Sequence, residues 1–201
     1  MADTRNADLT FGATDYIVYV APRDTASPVD FADPATPWQC MGWITQEGGT
    51  LGVDEDTTDV MAAGSVDPIR TLMTKSTKTL QVTFQEAINP IVRALWDNVP
   101  VSSLEPTDGV ATYSLPDQPA DLRYAFVLDS IDGDKRNRLF MPNGKVTARG
   151  EEQPQTTDVW NVQMTFTFSK GLVLPAVTRT IDYGGVDVSG FFPVSGGGGG
   201  S

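Results

Sequence analysis

Across residues 159–168 the chain alternates: Trp160, Val162, Met164, Phe166 and Phe168 fall on one side, Asn161, Gln163, Thr165 and Thr167 on the other. A β-strand turns successive side chains to opposite faces, so this pattern specifies a strand with one buried and one wet face. Residues 78–86 repeat it, with Leu80, Val82 and Phe84 opposed to Thr79, Gln81, Thr83 and Gln85. In 122–131, Leu122, Tyr124, Phe126 and Leu128 point inward. Shorter strand candidates lie at 16–20, 38–45, 69–75, 111–115, 136–141, 144–149 and 177–182. Many short strands separated by turn signals predict a mainly β chain of sandwich or barrel type.

The punctuation supports this reading. Asp132-Gly133-Asp134 predicts a tight hairpin turn, and Pro142-Asn143-Gly144 predicts another. One flanking helix is expected at about residues 89–98. Asn89 can cap it and Pro90 suits its first position; Ile91, Val92, Leu95 and Trp96 form the apolar stripe. Residues 22–37, rich in Pro, Asp and Ala, predict an excursion, and 46–68 a long Gly/Asp/Thr loop. The main β domain is expected to span 1–194, with an N-terminal arm. The Gly/Ser run 195–201 is set aside as a flexible tail or cloning scar.

Composition removes most catalytic chemistry. There is no histidine, which excludes Ser-His-Asp and Cys-His catalysis and histidine metal sites. Cys40 is the sole cysteine, so no intrachain disulfide can form; its apolar neighbours predict a buried small hydrophobe. No phosphate-binding loop follows a strand. Glu151 and Glu152 are adjacent and point apart, unlike an acid–base pair flanking one bond. Asp54, Glu55, Asp56 and Asp59 lack EF-hand spacing, and Asp129, Asp132 and Asp134 surround a turn that favours Asp on backbone grounds alone. No catalytic residue, metal or cofactor is expected.

The formal net charge is −12, which keeps the chain soluble and gives nucleic-acid phosphate and anionic membrane little to bind. No run is long enough to span a bilayer, and the N-terminus has no apolar signal core. Charge is also unevenly laid out. Glu47, Asp54, Glu55, Asp56 and Asp59 form an acidic stretch without a base; Lys135, Arg136, Arg138, Lys145 and Arg149 form a basic stretch without an acid. Two such segments can meet within one chain or between neighbouring copies, or be unrelated surface patches.

Tyr124-Ala125-Phe126-Val127-Leu128-Asp129 leads into Arg138-Leu139-Phe140-Met141-Pro142. Val146-Thr147-Ala148-Arg149-Gly150-Glu151 and Val162-Gln163-Met164-Thr165-Phe166-Thr167 follow. This order resembles the C-terminal half of major tail proteins of siphophages, especially those infecting actinobacteria. Upstream, an acidic segment, Arg70-Thr71-Leu72-Met73-Thr74-Lys75-Ser76 and the strand through Glu86 extend the likeness over roughly residues 38–170. The resemblance implies a tail-tube fold: a β-sandwich with a flanking helix, a long loop and terminal arms. It implies homohexameric rings stacked into a tube, made in the host cytoplasm and carried in the virion. Tape measure, tail terminator and tail-tip proteins would be its partners, and DNA would pass through the lumen without specific binding.

On that reading Thr79, Gln81, Thr83, Gln85, Asn161, Gln163, Thr165 and Thr167 are candidates to face the lumen. The acidic and basic stretches are candidate inter-subunit contacts. A virion decoration or receptor-binding β-domain is the alternative from another class; an enzyme is disfavoured by the missing chemistry.

Overall fold

The computed structural model describes residues 5–152, 154 and 159–191, so the 195–201 run lies outside the described residues. Eight antiparallel strands form one continuous hydrogen-bonded system. They are β1 (Asp15–Pro22), β2 (Gln39–Cys40), β3 (Ile44–Val60), β4 (Arg70–Phe84), β5 (Tyr124–Asp132), β6 (Lys135–Arg149), β7 (Val162–Phe168) and β8 (Thr178–Asp182). The one α-helix among the described residues, α1 (Pro90–Asp97), follows β4.

Strand β6 organises the fold because it belongs to two layers. Residues 135–144 pair with β5, and 136–140 also pair with β8. Residues 144–149 pair with β7 instead. One layer is therefore β2-β1-β5-β6-β8, and the other β6-β7-β4-β3. The change of partner falls at Pro142-Asn143-Gly144, beside a register shift in β5 between Tyr124 and Phe126. A strand that switches sheets through a bend is a standard corner of packed sheets. Gly144 is required there, since a Cβ would lie 2.7 Å from the Phe168 ring.

The inner faces of the two layers make the core. Val18, Val20, Phe126, Leu128, Leu139 and Met141 pack against Leu80, Val82, Phe84, Val162, Met164, Phe166 and Phe168. The Phe126 and Phe166 rings meet with centroids 4.7 Å apart. Each fully buried large apolar side chain stabilises the fold by roughly 1.5–3 kcal/mol. Helix α1 closes the same core with Val92, Leu95 and Trp96. The Asn89 side chain accepts from the Ile91 N–H at 3.0 Å, and Asn98 ends the helix in the left-handed region at φ 57°. A cap of this kind contributes about 1 kcal/mol.

The outer face of the first layer is also covered. Residues 23–38 run over β1, β5 and β6, burying Tyr19, Val127 and Phe140 beneath Trp38. This is why β5 is buried on both faces and does not alternate.

The strands through Leu80, Phe126 and Phe166, the turn after Asp132 and the capped helix lie where the sequence predicts them. The Gly133–Asp134 turn is flanked by the Asp132–Lys135 pair. Five expectations are corrected. The 46–68 loop is instead the body of β3 and the turn leading to β4, with Val53–Val60 paired to Lys78–Arg70. The 69–75 and 78–86 candidates form one strand, as do 136–141 and 144–149. Pro142-Asn143-Gly144 is a bend within β6, and its three residues are buried. No strand forms at 111–115. Cys40 is exposed, because the two-residue strand β2 lies on the rim of its layer.

Candidate functional site: an assembly surface

The outer face of the second layer is built by register. Thr79 lies across from Thr167, Gln81 from Thr165 and Thr83 from Gln163. Their partners along the strands, Leu80, Val82, Phe84, Met164 and Phe166, point into the core, so alternation forces these six to the outside. The Thr147 and Thr167 hydroxyls are 2.8 Å apart, and the Gln163 amide donates to the Thr83 hydroxyl at 3.4 Å. The result is a patch of hydroxyls and amides without a charge at its centre. Gln85 and Asn161 lie just beyond the strand ends: Gln85 is exposed, and the Asn161 side-chain oxygen is buried without a partner among the described residues.

Both edges of this layer are open. Strand β3 is its terminal strand and, among the described residues, pairs only with β4. At the other side, residues 145–149 of β6 pair with β7, beyond the reach of β5. An open edge presents unpaired N–H and C=O groups that another strand can satisfy.

Below the Val53–Lys78 pair, β4 loses β7 as a neighbour, and β3 and β4 continue alone as a two-stranded ribbon to Val60–Arg70. Asp54, Glu55, Asp56 and Asp59 lie on this ribbon, exposed. Glu55 accepts from the Ser76 hydroxyl at 3.1 Å, Asp59 accepts from Thr71 at 2.7 Å, and Asp56 is 3.7 Å from the Lys75 ammonium. Glu47 lies apart from them, at the irregularity before Gly48. The Thr45 hydroxyl holds its carboxyl below the usual range. Gly48 adopts φ 66° and lies against Tyr16, where a Cβ would come within 2.7 Å of the ring.

The basic stretch is held within its own chain. Arg138, 3% exposed, binds Asp129 through two nitrogens and also donates to the carbonyls of Asp30 and Ala32. Its guanidinium stacks 5.4 Å from the Phe31 ring centroid. Arg136 donates to the Phe31 carbonyl at 2.8 Å and Lys135 to that of Thr10 at 3.0 Å. Together these three fasten the 23–38 excursion and the N-terminal arm to the sheet. Arg149 donates to the Trp96 carbonyl at the C-terminal end of α1, a favoured place for a cation. Lys145 pairs with Asp121 at 3.3 Å. The structure therefore does not bring the acidic and basic segments of one chain together.

Two groupings escaped the sequence reading. Arg93 binds Asp97 through two nitrogens, pairs with Glu152 and lies over the Trp160 ring, while the Tyr113 hydroxyl donates to Asp97 at 2.6 Å. These residues span 93–160 and no local pattern links them. The second is a set of exposed apolar side chains at the two ends of the β3–β4 pair: Met61, Val66, Ile69 and Met73 at the turn, and Trp43 and Ile88 at the opposite end. Apolar residues inside a polar, aperiodic segment were the available signal.

Among the described residues no cluster of potential metal ligands occurs, and no helix is long and apolar enough to cross a membrane. No curated protein matches the chain in sequence. Among solved structures, it is similar to the tube-terminating cap of the anti-feeding prophage: TM-score 0.46, 10% identity, 90% of this chain and 100% of that one. It is also similar to the sheath/tube terminator of an extracellular contractile injection system, PVC, in the extended state, at TM-score 0.43 and 11% identity over 87% of this chain and 99% of that one. A third similarity is to the sheath-tube complex of that system, at TM-score 0.40 and 9% identity over 88% and 95%. At these scores the assignment rests on the family model, which describes a phage tail tube protein and matches residues 2–177. The chain belongs to the phage tail tube protein family, and is thus a structural component of the virion tail.

Proposed function

We propose that the chain polymerises as hexameric rings that stack into the tail tube and form a conduit for DNA. The observation that carries this reading is the β6-β7-β4-β3 layer: an outer face that is polar and uncharged at its centre, between two open edges. Pairing β3 of one copy with residues 145–149 of β6 in the next would extend the layer around a ring, satisfying both edges. The hydroxyls and amides of Gln81, Thr83, Gln163 and Thr165 would then line the channel. These four side chains offer phosphate no cation, Lys145 at the margin of the face is paired with Asp121, and the net charge of −12 adds repulsion. Tape measure, tail terminator and tail-tip proteins are the partners of a tube built this way. Arg136 and Arg138, occupied within the subunit, are assigned to its folding and not to its contacts.

Electron microscopy of the purified protein tests the reading. Tubes with a central channel are expected. Persistent monomers at high concentration, with this protein absent from tail tubes on virions, would overturn it and favour a surface-decorating domain.

A further inference from the structure

Beyond Gly144, β6 has lost β5 and pairs with β7, so residues 145–149 are held on one side only. The end of a strand held this way opens easily unless something else fixes it. The register also shifts here. Val146 stands across from Phe166, Ala148 from Thr165 and Arg149 from Met164, which leaves Thr147 as the extra residue of a bulge. Without that residue, alternation would set Ala148 across from Met164 and Arg149 on the polar outer face. The bulge turns Arg149 instead to the side of Met164, where it donates to the Leu95 and Trp96 carbonyls at the end of α1. Helix α1 reaches back in turn. Arg93 pairs with Glu152, just past the end of β6, and its Nε and Nη2 hold the Asp97 carboxylate, the shortest contact at 2.9 Å. The Tyr113 hydroxyl and the Trp160 ring close around the same group.

We propose that Arg93 and Arg149 are positioning residues for assembly: their reciprocal hold between α1 and β6 keeps the bulged edge at 145–149 in the single shape on which a neighbouring strand can pair. The proposal rests on the tube reading, in which this edge receives β3 of the next copy, and names what prepares the edge for it. Two observations separate this role from plain stabilisation. The Arg93 and Asp97 side chains are only 15% and 7% exposed, and an ion pair so covered adds little net stability, because desolvating two charges cancels most of their attraction; what it enforces is one geometry. The contacts also run to the edge itself. Arg149 and Glu152 flank Gly150, whose N–H donates to the Gln163 carbonyl at 2.9 Å and closes the ladder. A pre-formed edge spares the incoming strand the cost of ordering it. A loose edge would offer shifting registers, and a slip of one residue turns every side chain of the joining strand to the wrong face.

The test is Arg149→Met with Glu152→Gln, which cuts both links and leaves the Arg93–Asp97 pair and the helix in place. The near-ultraviolet circular dichroism of the subunit should be unchanged and its melting temperature within a few degrees of the parent. Amide exchange at Ala148, Arg149 and Gly150, measured below the assembly concentration, should accelerate at least tenfold. The concentration at which tubes form should rise at least tenfold. Val127→Ala is the comparison: it loosens the packing beneath Trp38, lowers the melting temperature at least as much, and should assemble at the parental concentration. Equal impairment by Val127→Ala would mean lost stability alone, and overturns the proposal. Assembly of the double variant at the parental concentration also overturns it while leaving the tube reading intact; no tubes from the unaltered protein removes both. If the double variant does not fold, Glu152→Gln alone carries the test: a rise of about threefold in the assembly concentration is expected, and no rise overturns the proposal.

Discussion

Arg138 on β6 stands directly across from Asp129 on β5, and the two form a doubly hydrogen-bonded ion pair, Nε–Oδ1 2.6 Å and Nη2–Oδ2 2.5 Å, under the 23–38 excursion. The remaining donors of Arg138 hold the Asp30 and Ala32 carbonyls. The pair thus ties a segment without regular structure to the middle of a sheet.

Breaking it is expected to be costly. Arg138→Met leaves Asp129 buried without its partner, for a loss of about 3–5 kcal/mol in denaturant unfolding. Arg138→Met with Asp129→Leu should lose less than Arg138→Met alone, because no charge is stranded. Proteolysis within 23–38 should accelerate in both variants, since both lose the two carbonyl contacts. An Arg138→Met variant as stable as the parent would show that the ion pair is not what fastens the excursion.

The ribbon should be dispensable for folding and needed for assembly. Replacing residues 54–77 by an Asn-Gly turn joins Val53 directly to its partner Lys78. The core packing of Leu80, Val82 and Phe84 is untouched, so the melting temperature should change by no more than a few degrees. Tubes should be absent on electron micrographs. Normal tubes from this variant would remove the ribbon from the account.

The polar face should tolerate charge in the subunit and not in the conduit. Gln81→Lys with Thr165→Lys places two cations side by side on an exposed face, and the monomer should remain folded. Virions carrying it should retain DNA longer after ejection is triggered, with the delay shrinking as salt rises. Ejection at the parental rate in low salt would place this face away from DNA.

Alkaline pH probes the covered layer. Burial first, and then the Asp33 carboxylate, push the Tyr19 phenol up to about 12 from its usual 10.0. The folded chain then holds this proton more tightly than the unfolded one. Stability from this group is complete below pH 10 and is lost as pH rises through about 12. Tyr19→Phe should show a shallower fall over that interval; an identical slope would contradict this assignment.

How much of this the sequence carries depends on whether an element has one wet face. Leu80–Phe84 and Val162–Phe168 alternate because one side is core and the other solvent, and both were readable. Asn89 and Pro90 announced the helix. The ribbon from Val53 to Val60 has solvent on both faces, so no alternation exists to detect and its Gly, Asp and Thr content resembles a loop. Val127 and Asp129 are buried because a distant segment covers them, which periodicity within β5 does not encode. Pro142-Asn143-Gly144 carries the composition of a turn and makes a bend, since the chain changes partner strand there without reversing. Alternation sorts the polar residues of β4 and of β7 to the outer side of each strand, and the pairing that joins them into one face appears only in the fold. The basic residues were not placed, because their partners Asp129, Phe31 and Trp96 are close only in the folded chain.

The central claim is that the β4–β7 polar face lines a closed channel. A reconstruction of assembled tubes by cryo-electron microscopy, at a resolution that shows side chains, measures this directly. It should place Gln81, Thr83, Gln163 and Thr165 on the inner wall, with β3 hydrogen-bonded to residues 145–149 of the neighbouring copy. A tube in which those four side chains face outward, or in which β3 remains an unpaired edge, would contradict the account.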